Sequence, residues 1–168
     1  MGTGRLTTPN RHYSFDDDHR AGGAVALPPP CGKMAAMNFT ELRACLEKDG
    51  WPIEDVSEAT LRSCFRGGGR MFPVFIHKEP EHVTFAVIPF LRLPEDEAAG
   101  DAVVDRLLRL NREMNLAKFS VDEDGDVVLS VDYRLEDLDP SEVRDAIDVL
   151  SFYAEKYQPE MRRLAASE

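Results

Sequence analysis

Apolar residues recur at helical spacing in three stretches of the chain, and each stretch has residues that start or stop helices. The first helix is predicted to begin at Asn38, which can form a capping box with Glu41. The third is predicted to begin at Asp139, with Pro159 kinking or ending it. The second begins near Pro94. Its apolar stripe consists of Val103, Leu107, Leu110 and Met114, with Val104 and Leu108 widening it. Asn115 is predicted to be its C-terminal cap.

Between these stretches the pattern changes to the two-residue alternation of strands. The predicted strands are Leu61–Arg66, Arg70–Lys78, His82–Leu91, Leu116–Val121 and Asp126–Leu135, and an extra short strand at Ile53–Val56 is left open. Asp124-Gly125 signals a hairpin between the last two strands. Pro73 and Pro89 each remove a ladder donor, so each belongs at an edge or a bulge. The pattern predicts an α+β fold, an antiparallel sheet with helices packed on it, in the order α-β-β-β-α-β-β-α.

The N-terminal residues 1–36 follow neither the strand period nor the helical one. We expect them to form a disordered arm, because they offer too little apolar surface to offset the entropy of ordering. Residues 37–168 are expected to form one folded domain. The composition, with 43% hydrophobic and 30% charged residues, is ordinary for a globular protein.

The net charge of −11 is concentrated in one part of the chain. Between Glu95 and Asp148 there are seventeen acidic and six basic residues. An acidic surface is repelled by phosphate backbones and by anionic lipid, so binding to nucleic acid or to a membrane surface is disfavoured. The expected partner is therefore a protein, preferably a neutral or basic one.

The cysteines and the lack of a long apolar run indicate the cellular compartment in which the protein acts. Cys31, Cys45 and Cys64 are odd in number and form no C-x-x-C pair, so neither a disulfide framework nor a cysteine zinc site is supported. No apolar stretch reaches the length of a membrane-spanning helix, and the apolar segment Ala21–Leu27 has the wrong flanks for a signal peptide. The expected location is the cytoplasm.

The sequence has little that indicates catalysis. The turn Gly67-Gly68-Gly69 lacks the lysine and hydroxyl of a phosphate-binding loop, and the carboxylates of 122–126 do not have the spacing of a calcium loop. His77 and His82 flank a short connection and could face each other as two ligands of a weak metal site. We therefore assign no catalytic residue, metal or cofactor, and a small metal-dependent enzyme using these two histidines stays an alternative.

The stretch Leu110–Phe119, running into Asp122–Leu129, resembles the YbjN family, which is described as bacterial sensory-transduction regulators. The resemblance rests on the leucine–asparagine pair, the short Leu-Ala-Lys-Phe strand and the Asp-Gly hairpin at this spacing, and the helix start at Asp139-Pro140 agrees with it. It covers Asn38 to Leu164. It implies a fold similar to type III secretion chaperones such as the Tir chaperone, and a homodimeric, non-enzymatic protein that binds another polypeptide or regulates through contact.

These observations lead to one leading functional hypothesis and, besides the metal-dependent enzyme, one further alternative. The leading hypothesis is a cytoplasmic, chaperone-like homodimer that takes up a client on an exposed sheet edge or apolar groove. The alternative is a signalling or structural regulator that holds no client. The expected dimer seam includes the second helix and an adjoining strand. The residues predicted at the dimer or partner interface are Val103, Leu107, Leu110, Asn111, Met114 and Phe119.

Overall fold

A computed structural model describes residues 37–166 of the chain. The helices are α1 (Phe39–Lys48), α2 (Glu97–Glu113) and α3 (Pro140–Ala165). The strands are β1 (Glu54–Ser57), β2 (Thr60–Gly67), β3 (Arg70–Lys78), β4 (His82–Arg92), β5 (Lys118–Val121) and β6 (Asp126–Arg134). The prediction of a disordered arm concerns residues 1–36, which lie outside the described range.

The six strands form one antiparallel sheet in the order β1-β2-β3-β4-β6-β5. The predicted α+β class is confirmed, and so is the order of elements once the short strand that the sequence left open is included as β1. Buried residues alternate with exposed or half-buried ones along β2 and β3, whereas β4 and β6 each have three buried residues in a row, at 85–87 and 129–131. Most buried apolar residues of these strands share one core with all three helices. The helices therefore cover one face of the sheet, and no helix of residues 37–166 covers the other face.

Capping boxes fix the starts of α1 and α3 as predicted. Asn38 Oδ1 accepts from the Glu41 N–H at 3.0 Å, and Asp139 Oδ1 accepts from the Glu142 N–H at 3.1 Å. Of the two alternatives predicted for Pro159, kinking or ending α3, the second is wrong, because the helix continues to Ala165. Pro159 is exposed, and on the solvent side of a helix water can satisfy the carbonyl that the missing N–H leaves free.

Both strand prolines lie where the sheet ladder is interrupted, as predicted. The register of β4 against β6 shifts between Val87 and Leu91, and the cis Ile88–Pro89 peptide bond lies inside this irregularity. Pro73 is paired with Cys64 on β2, but the pairing of β3 with β4 begins only at Val74. Pro73 therefore lies where β3 does not pair with β4, and Pro89 lies where β4 does not pair regularly with β6. Neither missing N–H removes a regular hydrogen bond of the ladder.

A chain of aromatic rings runs through the core across the sheet. Neighbouring ring centroids lie 5.0 to 6.4 Å apart, which is the usual range for aromatic pairs. In order, the rings are Phe65, Phe72, Phe90, Phe119 and Tyr157. Because this chain joins β2, β3, β4, β5 and α3, the two edges of the sheet are held by one continuous core.

Candidate interaction surfaces

The six residues predicted at an interface lie where α2 packs on β5. Five of the side chains are buried in the protein's own core, and Asn111 is half-buried. The buried five are Val103, Leu107, Leu110, Met114 and Phe119. These five side chains lie beneath the surface formed by α2 and β5, and Asn111 is partly exposed on that surface.

Asn111 covers the free edge of β5. The backbone N–H of Phe119 donates to Asn111 Oδ1 at 2.6 Å, and Asn111 Nδ2 donates to the carbonyl oxygen of Phe119 at 2.9 Å. Both backbone groups of Phe119 therefore point away from β6, toward the side of β5 on which residues 37–166 provide no neighbouring strand. The asparagine amide thus takes the place of a neighbouring strand, which explains a polar residue whose role the helical pattern alone could not assign.

The connection between α2 and β5 carries a strained residue. Leu116 has a φ of 66°, in the left-handed region that a leucine rarely adopts, and its side chain is 65% exposed. The sequence favoured Asn115 as the C-terminal cap, but this is wrong: Met114 is the cap residue. The Asn115 N–H donates instead to the Tyr153 hydroxyl on α3 at 3.0 Å, and the left-handed turn falls one residue later.

Further apolar side chains are exposed near this connection. Leu108 is 65% exposed and lies one turn before Asn111, on the side of α2 that reaches the edge of β5. Val121 on β5 and Phe152 on α3 are also exposed. The sequence pattern counted Leu108 as widening the apolar stripe of α2 and did not include it among the interface residues, whereas the structure leaves it exposed. The signal that Leu108 points away from the core was its position about 100° around the helix from the buried Leu107.

The opposite edge of the sheet is only partly covered. The strand β1 pairs with Thr60, Leu61 and Arg62 of β2 and extends no further. The rest of β2, residues 63–67, has no strand neighbour on that side among the described residues. The two edges therefore differ: an asparagine side chain covers part of β5, whereas half of β2 is left open.

Ion pairs hold the three helices together. Arg106 of α2 pairs with Glu160 of α3 at 2.7 Å, and Arg144 of α3 pairs with Asp49, the residue after α1, at 2.6 Å. Hydrogen bonds from these arginines lower the pKa values of the Glu160 and Asp49 carboxyls. These pairs fix α2 and α1 against α3.

A polar cluster lies on the sheet face opposite α1, α2 and α3. The Thr84 hydroxyl donates to Asp132 Oδ1 at 2.6 Å, and the Lys118 ammonium pairs with the other carboxylate oxygen. Burial alone would raise the pKa of Asp132, but the hydrogen bonds from Lys118 and Thr84 and the charges of Lys118 and His82 together lower it. The cluster joins β4, β5 and β6 through side chains.

The two histidines do not face each other across the hairpin. The residue opposite His77 is Thr84, and the Nδ1 atom of His77 lies 2.8 Å from the Thr60 hydroxyl. His82 lies opposite Arg134 of β6. Within residues 37–166, no group of three histidine, cysteine or acidic side chains is placed to hold a metal ion. Nor does any helix in this range have the length and apolar character needed to cross a membrane.

The model of the YbjN family, described as "Putative bacterial sensory transduction regulator", matches residues 38–163. This range agrees with the one in which the sequence resembled that family. A search of curated proteins finds no match to the chain.

Three solved structures share the fold. The crystal structure of YbjN from E. coli has 12% identity and a TM-score of 0.56, and the match covers 74% of this chain and 94% of that one. A chain of the heterodimeric ExoU-SpcU complex from the type III secretion system of Pseudomonas aeruginosa has 20% identity and a TM-score of 0.51, with coverage of 73% and 96%. A chain of the ExsC-ExsE complex has 17% identity and a TM-score of 0.52, with coverage of 76% and 92%. At these identities the likeness shows the fold alone.

Proposed function

The chain belongs to the YbjN family, and on that premise we propose that it is a non-enzymatic, chaperone-like interaction module that acts as a homodimer and binds a polypeptide partner. The observation that carries this proposal is the exposed apolar surface where α2 meets β5. There Leu108 and Leu116 are each 65% exposed, and Leu116 is held in a strained backbone conformation. Exposed apolar side chains gathered at one place favour a protein interface.

The homodimer would use this surface as its seam. The free edge of β5 is covered at Phe119 by Asn111, so the seam would join side chains rather than extend the sheet. Leu108, Leu116 and Val121 would lie in it, above the buried residues of α2. The same patch on two subunits can form a closed two-fold contact.

A client polypeptide would bind elsewhere on the dimer, on an open sheet edge or groove. Structural relatives are known in complexes of two proteins, ExoU-SpcU and ExsC-ExsE, which supports binding of a protein partner here. The excess of carboxylates between Glu95 and Asp148 would keep a loaded dimer soluble and favour a partner of neutral or basic overall charge.

An aggregation assay tests the client-holding part of the proposal. Full-length protein is mixed at equal molar amounts with reduced insulin, whose light scattering rises as the released chains aggregate. We expect the scattering to be suppressed. Unchanged scattering at a several-fold excess of the protein would contradict client holding and favour the second candidate.

The second candidate is a regulator that binds a signalling protein without holding an unfolded client. The description of the family as a sensory transduction regulator favours it. Such a regulator would form the same dimer and use the same interaction surfaces as the first candidate. We propose the cytoplasm as the compartment of either activity, which the free thiols of Cys45 and Cys64 support.

A further inference from the structure

The unpaired half of β2 has backbone groups that a further strand can bind. The Lys78 N–H donates to the Ala59 carbonyl oxygen at 2.8 Å. Since backbone groups in an antiparallel ladder alternate between the two neighbours, Ser63 and Phe65 turn theirs toward β3. The backbone N–H and C=O groups of Cys64 and Arg66 therefore face the open side.

A notch of about 330 Å³ lies at the start of this half-edge. It forms where the chain before β1 diverges from β2. Its lining residues are Pro52, Ile53, Glu54, Arg62, Ser63 and Cys64. Ser63 is 5% exposed, and its hydroxyl has no hydrogen-bond partner within residues 37–166.

Two arginines lie on one face of this half-edge, in a chain whose net charge is −11. Arg62 and Arg66 project from β2 on the sheet face opposite the three described helices. Arg62 contacts Glu54 at 3.5 Å, whereas Arg66 forms no ion pair within the described residues. On the opposite, helix-bearing face Glu155 approaches so closely that a Cβ atom at Gly67 would lie 2.6 Å from its Cγ.

We propose that the half-edge Ser63–Gly67 binds an extended segment of a partner protein as an added strand, with acidic side chains beside Arg62 and Arg66 and apolar ones toward the notch. This deepens the proposed function, on which it rests, by naming the edge and the chemistry of the bound segment. Alternation of acidic and apolar residues follows from the strand period. Glu155 disfavours acidic side chains on the inner side.

Two synthetic peptides provide the probe for this site. One is fluorescein-labelled Thr-Val-Glu-Val-Glu-Val-Thr, and the matched control has lysine in place of each glutamate. Their binding to the full-length protein is measured by fluorescence anisotropy. We expect the glutamate peptide to bind at least about tenfold more tightly than the lysine peptide, because like charges would face the two arginines in the control.

Three substitutions at one position separate the backbone contribution from the charge. Arg66→Pro removes an N–H that donates to nothing within the described residues and places a ring where the added strand would lie, so we expect about a tenfold loss of affinity. Arg66→Ala keeps the donor and loses the charge, with an expected loss of about threefold. Arg66→Lys keeps both and is expected to bind like the wild type. Urea unfolding of each variant shows that the fold is retained.

Equal affinity for the two peptides, or wild-type affinity in Arg66→Pro, would overturn the site on β2. Hydrogen exchange gives an independent reading: the amides of Cys64 and Arg66 are expected to exchange fast in the free protein and to slow when the glutamate peptide is bound. Unchanged exchange at saturating peptide would also overturn the site. The insulin assay on the wild type reports the proposed function separately from these results.

Discussion

The side-chain amide of Asn111 pairs with the backbone of Phe119 as a neighbouring strand would, accepting from its N–H at 2.6 Å and donating to its carbonyl oxygen at 2.9 Å. One residue of α2 thereby closes part of an edge of the sheet. The interaction joins helix and strand across the connection at which the exposed Leu116 lies.

Replacing Asn111 by alanine should destabilise the protein. The substitution leaves two part-buried backbone groups of Phe119 without partners, and we expect the free energy of unfolding in urea to fall by about 2 kcal/mol. Arg112→Ala, at the neighbouring exposed position of α2, is the matched control, and its change should stay below about 0.5 kcal/mol. A change below about 0.5 kcal/mol in Asn111→Ala would show that water replaces the amide without cost.

The strained backbone of Leu116 predicts a gain in stability when the strain is removed. A left-handed conformation costs a residue with a Cβ atom about 1 kcal/mol. Leu116→Gly should therefore unfold at higher urea concentration than Leu116→Ala, which removes the side chain but keeps the strain. The reverse order would contradict the argument. If the side chain lies in the dimer seam, both variants should also dimerise more weakly than the wild type.

The elements that local signals determine could be predicted from the sequence, and those that depend on distant contacts could not. The capping boxes at Asn38 and Asp139 each need only four residues, and both are present. The short strand β1 stayed open because all four of its residues are exposed, so no alternation marks it. Its pairing with β2 is what identifies it as a strand.

The candidate site shows the same division more sharply. An apolar stripe on a helix reports burial, and the stripe of α2 indeed lies in the protein's own core. Whether Leu108 is covered depends on where β5 ends. The helical period of α2 carries no information about that position. The left-handed residue was expected at Asn115, but the Tyr153 hydroxyl, distant in sequence, binds its N–H and the turn falls at Leu116.

The pKa of Asp132 predicts how stability changes in acid. This carboxyl has a pKa below its ordinary 3.8 in the folded protein. The stability it contributes is therefore present above about pH 4 and is lost as the pH falls through the lowered value. Between pH 5 and pH 2, the melting temperature of the wild type should fall more than that of Asp132→Asn, which cannot titrate. Parallel curves for the two proteins would contradict this assignment.

The dimer seam can be tested at Leu108, which lies one turn from Asn111 and is 65% exposed. Sedimentation at micromolar concentration should show a dimer for the wild type and a monomer for Leu108→Glu. In a two-fold contact each new carboxylate would lose water and face the same patch on the other subunit.

The matched control is Val56→Glu, which places the same charge on an exposed valine of β1, at the opposite edge of the sheet. This variant should remain a dimer, because the proposed seam does not reach that edge. A monomeric wild type would exclude the homodimer at this concentration. A dimeric Leu108→Glu protein would place the seam away from α2, and a monomeric Val56→Glu protein would move it toward β1.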